Sequence, residues 1–249
     1  MKDAIRLFFT AVQFLTRLPV PAGEFRADDL PRSLAFFPFV GLLLAAGGLL
    51  VRFVLAPHVG NRIVMLAILI YLVLLTGGLH EDALADAADG FGGGWDKEQV
   101  LAIMRDSRIG SYGALAIVFS LLSRFVLLTE LPPAKFVAYF AVSQVFSRWT
   151  PLPLSFFLLP ARANAGQGSR VAGKVSWFSF LFGTFVALGI AALFLHAAVL
   201  WAGLTAAVIA AVSGLYYQKR LGGITGDCLG ATVQLTEIGV YLTGLVVHG

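Results

Sequence analysis

The sequence predicts an all-α fold: a polytopic bundle of about seven transmembrane helices, preceded by an N-terminal amphipathic helix. Three observations carry that expectation. Hydrophobic residues make up 58% of the 249 positions and charged residues only 13%. A helix needs about 20 residues to cross a bilayer, and apolar runs of that order recur at 34–56, 63–79, 111–129, 136–159, 176–195, 198–217 and 229–247. The strict alternation of a membrane barrel is absent, which leaves helices as the architecture that satisfies its backbone in lipid. No internal repeat, low-complexity tail or linker divides the chain, so residues 1–249 read as one integral membrane domain.

The N-terminal twenty residues carry Asp3, Arg6, Gln13 and Arg17 through their apolar part, which argues against a signal peptide. Ile5, Phe8, Phe9, Val12 and Leu15 instead space out as one face of a helix lying in the membrane surface or packed on the bundle. Residues 19–31 read as a polar loop. The stretch 176–217 has no Asp, Glu, Lys or Arg and exceeds one span, so it divides near His196. Pro151 and Pro153 should kink or break the run 136–159.

Orientation follows from the basic residues. With a cytoplasmic N-terminus and seven spans, 13 of the 18 Lys and Arg fall inside, and only Arg62 and Lys135 fall in outer loops. This reads as a multi-pass protein whose basic loops face the cytoplasm. The net charge of +4 suits an anionic inner leaflet and calls for no nucleic acid. The single cysteine, Cys228, excludes an internal disulfide and a multi-cysteine zinc site, and reads as a packing residue.

The polar residues gather in the inner loops 80–110, 160–175 and 218–228. The first holds Asp82-Ala-Leu-Ala-Asp86-Ala-Ala-Asp89-Gly90. Carboxylates at i, i+4 and i+7 fall within an arc of about 60° on one helix face. Like charges so placed repel unless a cation sits among them, and a hard divalent ion such as Mg²⁺ takes several carboxylate oxygens together with substrate phosphates. A solvated acidic helix end is the plain alternative. Against it, seven of the chain's 14 acids lie within Glu81–Asp106.

Beyond Asp89 the glycines at 90 and 92–94 are expected to make tight turns, and Asp96 to cap a short helix. Arg105, Asp106, Ser107 and Arg108 then form a candidate phosphate clamp, because the guanidinium fork matches phosphate oxygens. The loop with Arg162, Arg170 and Lys174 reads as a flexible basic segment. In the third loop, Thr225 and Asp227 open the last span. Gln234 and Glu237 lie further in, where an ionisable residue is costly and a functional candidate by default. Were that helix regular, Asp227, Gly230, Gln234 and Glu237 would share an arc of about 80°. Arg148, inside a span, needs a buried acid such as Glu237 or a substrate phosphate. Arg124 could do the same or reach the surface. His80 and His196 read as satisfied polar contacts or interface residues. The parts together fit transfer of a phosphate-bearing group at the cytoplasmic face.

Four separated segments resemble the cobalamin synthase (adenosylcobinamide-GDP ribazoletransferase) family: Gln13–Pro21, Gly77–Gly90, Met104–Gly113 and Thr225–Ala231. Ala83 and Cys228 depart from the residues expected there. The resemblance implies a Mg²⁺-dependent transferase in the cytoplasmic membrane, with its active site facing the cytoplasm. Its substrates would be adenosylcobinamide-GDP and α-ribazole or its 5′-phosphate, and its products GMP and adenosylcobalamin or its 5′-phosphate. Asp82, Asp86, Asp89 and Asp227 would be metal-ligating and catalytic, with Glu237 a further catalytic candidate. Arg105, Asp106, Ser107, Arg108, Arg148, Thr225 and Gln234 would contact substrate. A homo-oligomer is compatible with all of this. The rivals are a CDP-alcohol phosphotransferase, whose Asp-Gly-x2-Ala-Arg motif is missing, an intramembrane prenyltransferase and an ion-coupled transporter.

Overall fold

The computed structural model describes residues 2–21, 26, 28–162 and 170–248. Residues 22–25, 27 and 163–169, inside the loops expected at 19–31 and 160–175, lie outside the described set. The fold is all-α. Strand pairing among the described residues is limited to one parallel bridge between Pro160 and Ile224.

Helix α1 (Lys2–Leu15) is amphipathic as expected, with Leu7, Ala11, Val12 and Leu15 buried at helical spacing. Arg6 pairs with Asp29 of α2 (Asp29–Ser33) at 3.2 Å, which fixes α1 onto the bundle. After a 3₁₀ turn, α3 (Phe37–Leu55) runs to a short connection, and α4 (Asn61–Thr76) follows. Gly77 and Gly78 then both take left-handed backbone, φ +66° and +69°. Side chains there would be strained, and the pair lets α5 (Leu79–Gly93) leave α4 at 85°.

The glycines expected as turns are mostly helical: α5 continues through Gly90, Gly92 and Gly93, and only Gly94 is extended. Tight packing accounts for this, because a Cβ at Gly90 would collide with Met104. Asp96 caps α6 (Lys97–Ile103) by accepting from the Gln99 amide at 2.8 Å. Next come α7 (Ser111–Glu130) and α8 (Pro133–Trp149). Every residue from Tyr139 to Arg148 is buried, so α8 is the central helix. The prolines break it as expected: α9 (Pro151–Phe157) starts with Pro151 in the first turn.

The last three helices are α10 (Trp177–Leu195), α11 (Val199–Leu221) and α12 (Gly226–His248). His196, at φ 51°, reverses the chain between α10 and α11. A Cβ on Gly203 would lie 3.8 Å from Leu188, so the two helices fold back as a hairpin.

By length and hydropathy, four helical stretches among the described residues can cross a membrane: Asp29–Leu55, Ser111–Glu130, Trp177–Leu221 and Gly226–His248. The bent pair α4–α5 makes a fifth. The expected count of seven is not confirmed by this measure, which takes the α10–α11 hairpin as one stretch. The glycine pair stops α4 after 16 residues and the prolines cut 136–159 in two, whereas 176–217 divides at His196 as expected. The outer surface is that of a protein in lipid: Phe53, Phe178, Phe185 and Leu193 are each more than three-quarters exposed. A soluble chain rarely shows so much contiguous apolar surface.

Two apolar cores lie one above the other. One is built on Leu44, Ile68, Leu128, Phe140 and Tyr241, the other on Val12, Phe37, Ala87, Leu152 and Cys228. Along α12, Cys228–Ala231 belong to the second core and Val240–Tyr241 to the first. The residues between them, Gln234 and Glu237, define a polar layer.

Candidate active site at the seam of α5 and α12

The seam depends on close approach. A Cβ added to Gly230 of α12 would overlap that of Ala83 on α5, so only glycine fits opposite Ala83. Helix α12 is unbroken from Gly226, which keeps Asp227, Gly230, Gln234 and Glu237 on one stripe facing α5. The regular-helix expectation therefore holds.

At the outer end of the seam Asp82 is exposed and Asp86 and Asp227 are partly exposed. Asp86 feels the charges of Asp82, Asp227 and Asp89. Asp82, Asp86 and Asp227 make no ion pair among the described residues. Thr225 donates to Asp227 Oδ2 at 3.2 Å and accepts from the Cys228 amide, capping α12. Asp89 is turned elsewhere. Its two oxygens accept the Gly110 and Gly113 amides at 2.7 and 2.9 Å, so it holds the first turn of α7. The donor set of Asp82, Asp86 and Asp227 suits a hard divalent cation in type. It is open in spacing: among the described residues no three acidic, His or Cys side chains converge at coordination distance.

Deeper in, the structure assembles a neutral network of two acids and two arginines. Glu81 accepts from Arg124 and from Gln234, each at 2.9 Å, and Ser120 donates to Gln234 at 3.0 Å. Arg148 donates to Glu237 at 3.1 Å, and Arg124 lies 3.7 Å from the other Glu237 oxygen. Tyr241 also donates to Glu237, at 3.2 Å. Isolated buried charges cost several kcal/mol each, so opposite charges in equal number are what the burial demands. Arg148 thus takes the acid partner foreseen for it. Glu237 and Gln234 lie in this network, away from the outer aspartates.

The expected clamp is spread out. Arg105, Ser107 and Arg108 are exposed on the segment between α6 and α7. Arg108 donates to Asp106 at 3.0 Å, and that guanidinium holds the Asp106 carboxyl down at about 2. Arg162 stands nearer the acids. It donates to the Leu101 carbonyl, and burial and then the neighbouring Arg105 charge pull its guanidinium down, while Asp227 opposes that.

Beside Asp82 and Asp227 opens a cavity of about 110 Å³. Its walls are mainly apolar, with Phe14 of α1, Phe37 of α3, Pro151 of α9 and Val233 of α12, and His80 lines it as well. His80 is 3% exposed.

Sequence reasoning missed Glu81, Arg162 and the Phe14–Phe37 wall, and underweighted Arg124. Glu81 adjoins Asp82 but points the other way around the helix. An arginine within an apolar span was the signal that some acid had to face it.

The matched family model is described as cobalamin-5-phosphate synthase and covers residues 7–246. Among curated proteins, the adenosylcobinamide-GDP ribazoletransferase of Shewanella piezotolerans is 37% identical over 253 residues, 99% of this chain and 97% of its own. The protein of the same name from Shewanella pealeana is 38% identical, over 98% and 96% of the two chains. That from Ralstonia nicotianae is 39% identical, over 96% and 94%. No solved structure matches the chain. With a family model spanning nearly its whole length and relatives aligned end to end, the chain belongs to the cobalamin-5-phosphate synthase family of enzymes.

Proposed function

We propose that the protein is an adenosylcobinamide-GDP ribazoletransferase of the cytoplasmic membrane, dependent on Mg²⁺, with its active site open to the cytoplasm. It joins α-ribazole or its 5′-phosphate to adenosylcobinamide-GDP, releases GMP, and yields adenosylcobalamin or its 5′-phosphate. The observation that carries this reading, given the family, is the trio Asp82, Asp86 and Asp227, which makes no ion pair among the described residues and of which Asp82 and Asp227 line an apolar cavity.

Asp82, Asp86 and Asp227 would hold the Mg²⁺, with Asp89 adjoining. The ion supplies charge neutralisation of the diphosphate. The chain's own side chains do the rest. Arg105, Arg108 and Arg162 hold phosphate oxygens, for which the guanidinium fork is suited. A ribose hydroxyl of α-ribazole attacks the phosphorus joined to cobinamide, its proton passes to a carboxylate of the acidic set, and the bond to GMP breaks. The sunken aromatic walls keep water, the competing nucleophile, away from that phosphorus.

The test is an assay of the purified protein in detergent with adenosylcobinamide-GDP, α-ribazole and Mg²⁺. GMP release that requires both substrates, stops with a chelator and returns with Mg²⁺ is the expected result. No GMP under any condition would leave the transporter reading standing.

A further inference from the structure

The cavity beside the acidic rim has a chemistry narrower than either whole substrate. It is apolar and partly aromatic, through Phe14, Phe37, Pro151 and Val233, and its volume of about 110 Å³ is on the scale of a bicyclic ring. Its inner polar member, His80, is 3% exposed and lines the cavity. A single polar side chain in an apolar pocket is the kind of group that fixes the orientation of what enters it. His80 feels the charges of Arg148 of α8, Glu237 of α12 and Arg124 of α7. The first and second of these already pair with each other.

We infer that this cavity receives the benzimidazole base of α-ribazole, with the His80 imidazole donating a hydrogen bond to the base's free ring nitrogen. The inference rests on the reaction proposed above and names a subsite within it. Three matches support it. The base is flat, bicyclic and, but for that nitrogen, apolar, and behind its rim of Asp82 and Asp227 the cavity is lined by apolar residues and one imidazole. Histidine carries an N–H in both of its protonation states, so the contact needs no titration. The attacking hydroxyl belongs to the sugar attached to this base, and the cavity opens at Asp82 and Asp227, where the diphosphate would lie.

The other large groups of the reaction do not fit. Guanine presents several donors and acceptors along its edges, most of which this cavity would leave unmet. A corrin ring far exceeds the space. His80 is thus a residue that sets which lower base is accepted. A base lacking the ring nitrogen leaves the imidazole unpaired, and discrimination by a buried hydrogen bond is stronger than discrimination by shape alone.

The experiment measures equilibrium binding of two nucleosides to the full-length protein in detergent: α-ribazole, and its analogue with the ring nitrogen replaced by C–H. Wild type should bind the analogue roughly tenfold more weakly. His80→Leu should bind both equally and at the weaker level, with the KM for adenosylcobinamide-GDP unchanged. His80→Gln, which keeps an N–H donor, should retain part of the preference. Should His80 variants fail to fold, Val233→Leu narrows the cavity instead. It should shift preference from bases substituted on the benzene ring towards unsubstituted benzimidazole, and an unshifted preference refutes the subsite. Equal binding of the two nucleosides by wild type overturns the inference, as does a His80→Leu protein that still discriminates or whose KM rises for adenosylcobinamide-GDP instead. Absence of GMP release by wild type, by contrast, removes the proposed reaction and is read separately.

Discussion

Arg148 of α8 and Glu237 of α12 meet at 3.1 Å with 3% and 1% of their side chains exposed. The pair fastens the central helix to the last one, and Arg124 joins it to Glu81 on the acidic helix. Removing one member of a buried pair strands the other charge at a cost of about 3–5 kcal/mol. Arg148→Ala or Glu237→Ala should therefore lower the melting temperature in detergent by several degrees or abolish cooperative melting. Folded Arg148→Ala protein with an intact melting temperature but a tenfold higher KM for adenosylcobinamide-GDP would show that this guanidinium serves substrate phosphate.

Asp86 and Asp89 share a helix face but not an environment. Asp86→Asn should abolish Mg²⁺-dependent GMP release while membrane insertion and melting stay normal. Near-normal turnover would remove Asp86 from the metal site. Asp89→Asn should act through structure, because an amide offers one acceptor oxygen for two backbone N–H groups. It should cost about 1 kcal/mol of stability, typical of a lost helix cap, and only part of the activity. Full loss of turnover with unchanged melting would make Asp89 a ligand after all.

Arg108→Lys keeps the charge but loses the fork, so kcat/KM should fall roughly tenfold if the fork holds phosphate. The Asp106 carboxyl, lowered from its ordinary 3.8 to about 2 by Arg108, is ionised throughout the working range. Its contact with Arg108 is fully present above about pH 4 and lost only as pH falls through about 2. The Arg108→Lys defect should thus be the same at pH 6 and pH 9. A defect that varies across that range points to a different partner.

Sidedness can be read at Ser111, which is exposed at the start of α7, whereas Cys228 is buried and unsuitable as a probe. In a Cys228→Ser, Ser111→Cys protein, a membrane-impermeant thiol reagent should label inside-out vesicles, and substrate should slow the reaction. Labelling confined to right-side-out cells would reverse the topology.

Helicity, lipid-facing composition and the carboxylate stripe were legible in the sequence because each follows a local period. The same holds for the cap at Asp96 and the chain reversal at His196. The span count was not legible, since it depends on where helices bend. Gly77–Gly78 reads like any other glycine pair until its left-handed backbone is seen. The partner of Arg124 was equally hidden, because Glu81 is 43 residues away and stands beside more conspicuous acids. The cavity around His80 joins α1, α3, α5 and α12, a long-range meeting that no window of sequence contains.

The neutral network also bears on how the chain is made. Synthesis proceeds from the N-terminus, so Glu81, Arg124 and Arg148 all emerge before Glu237. Until α12 arrives, the nascent bundle holds two guanidiniums against a single carboxylate, an excess of one positive charge inside the membrane. The final 23-residue helix is therefore the counter-charge that lets the preceding helices settle. A product ending before residue 226 should be retained by the insertion machinery or degraded, since trimming it leaves the interior electrically incomplete.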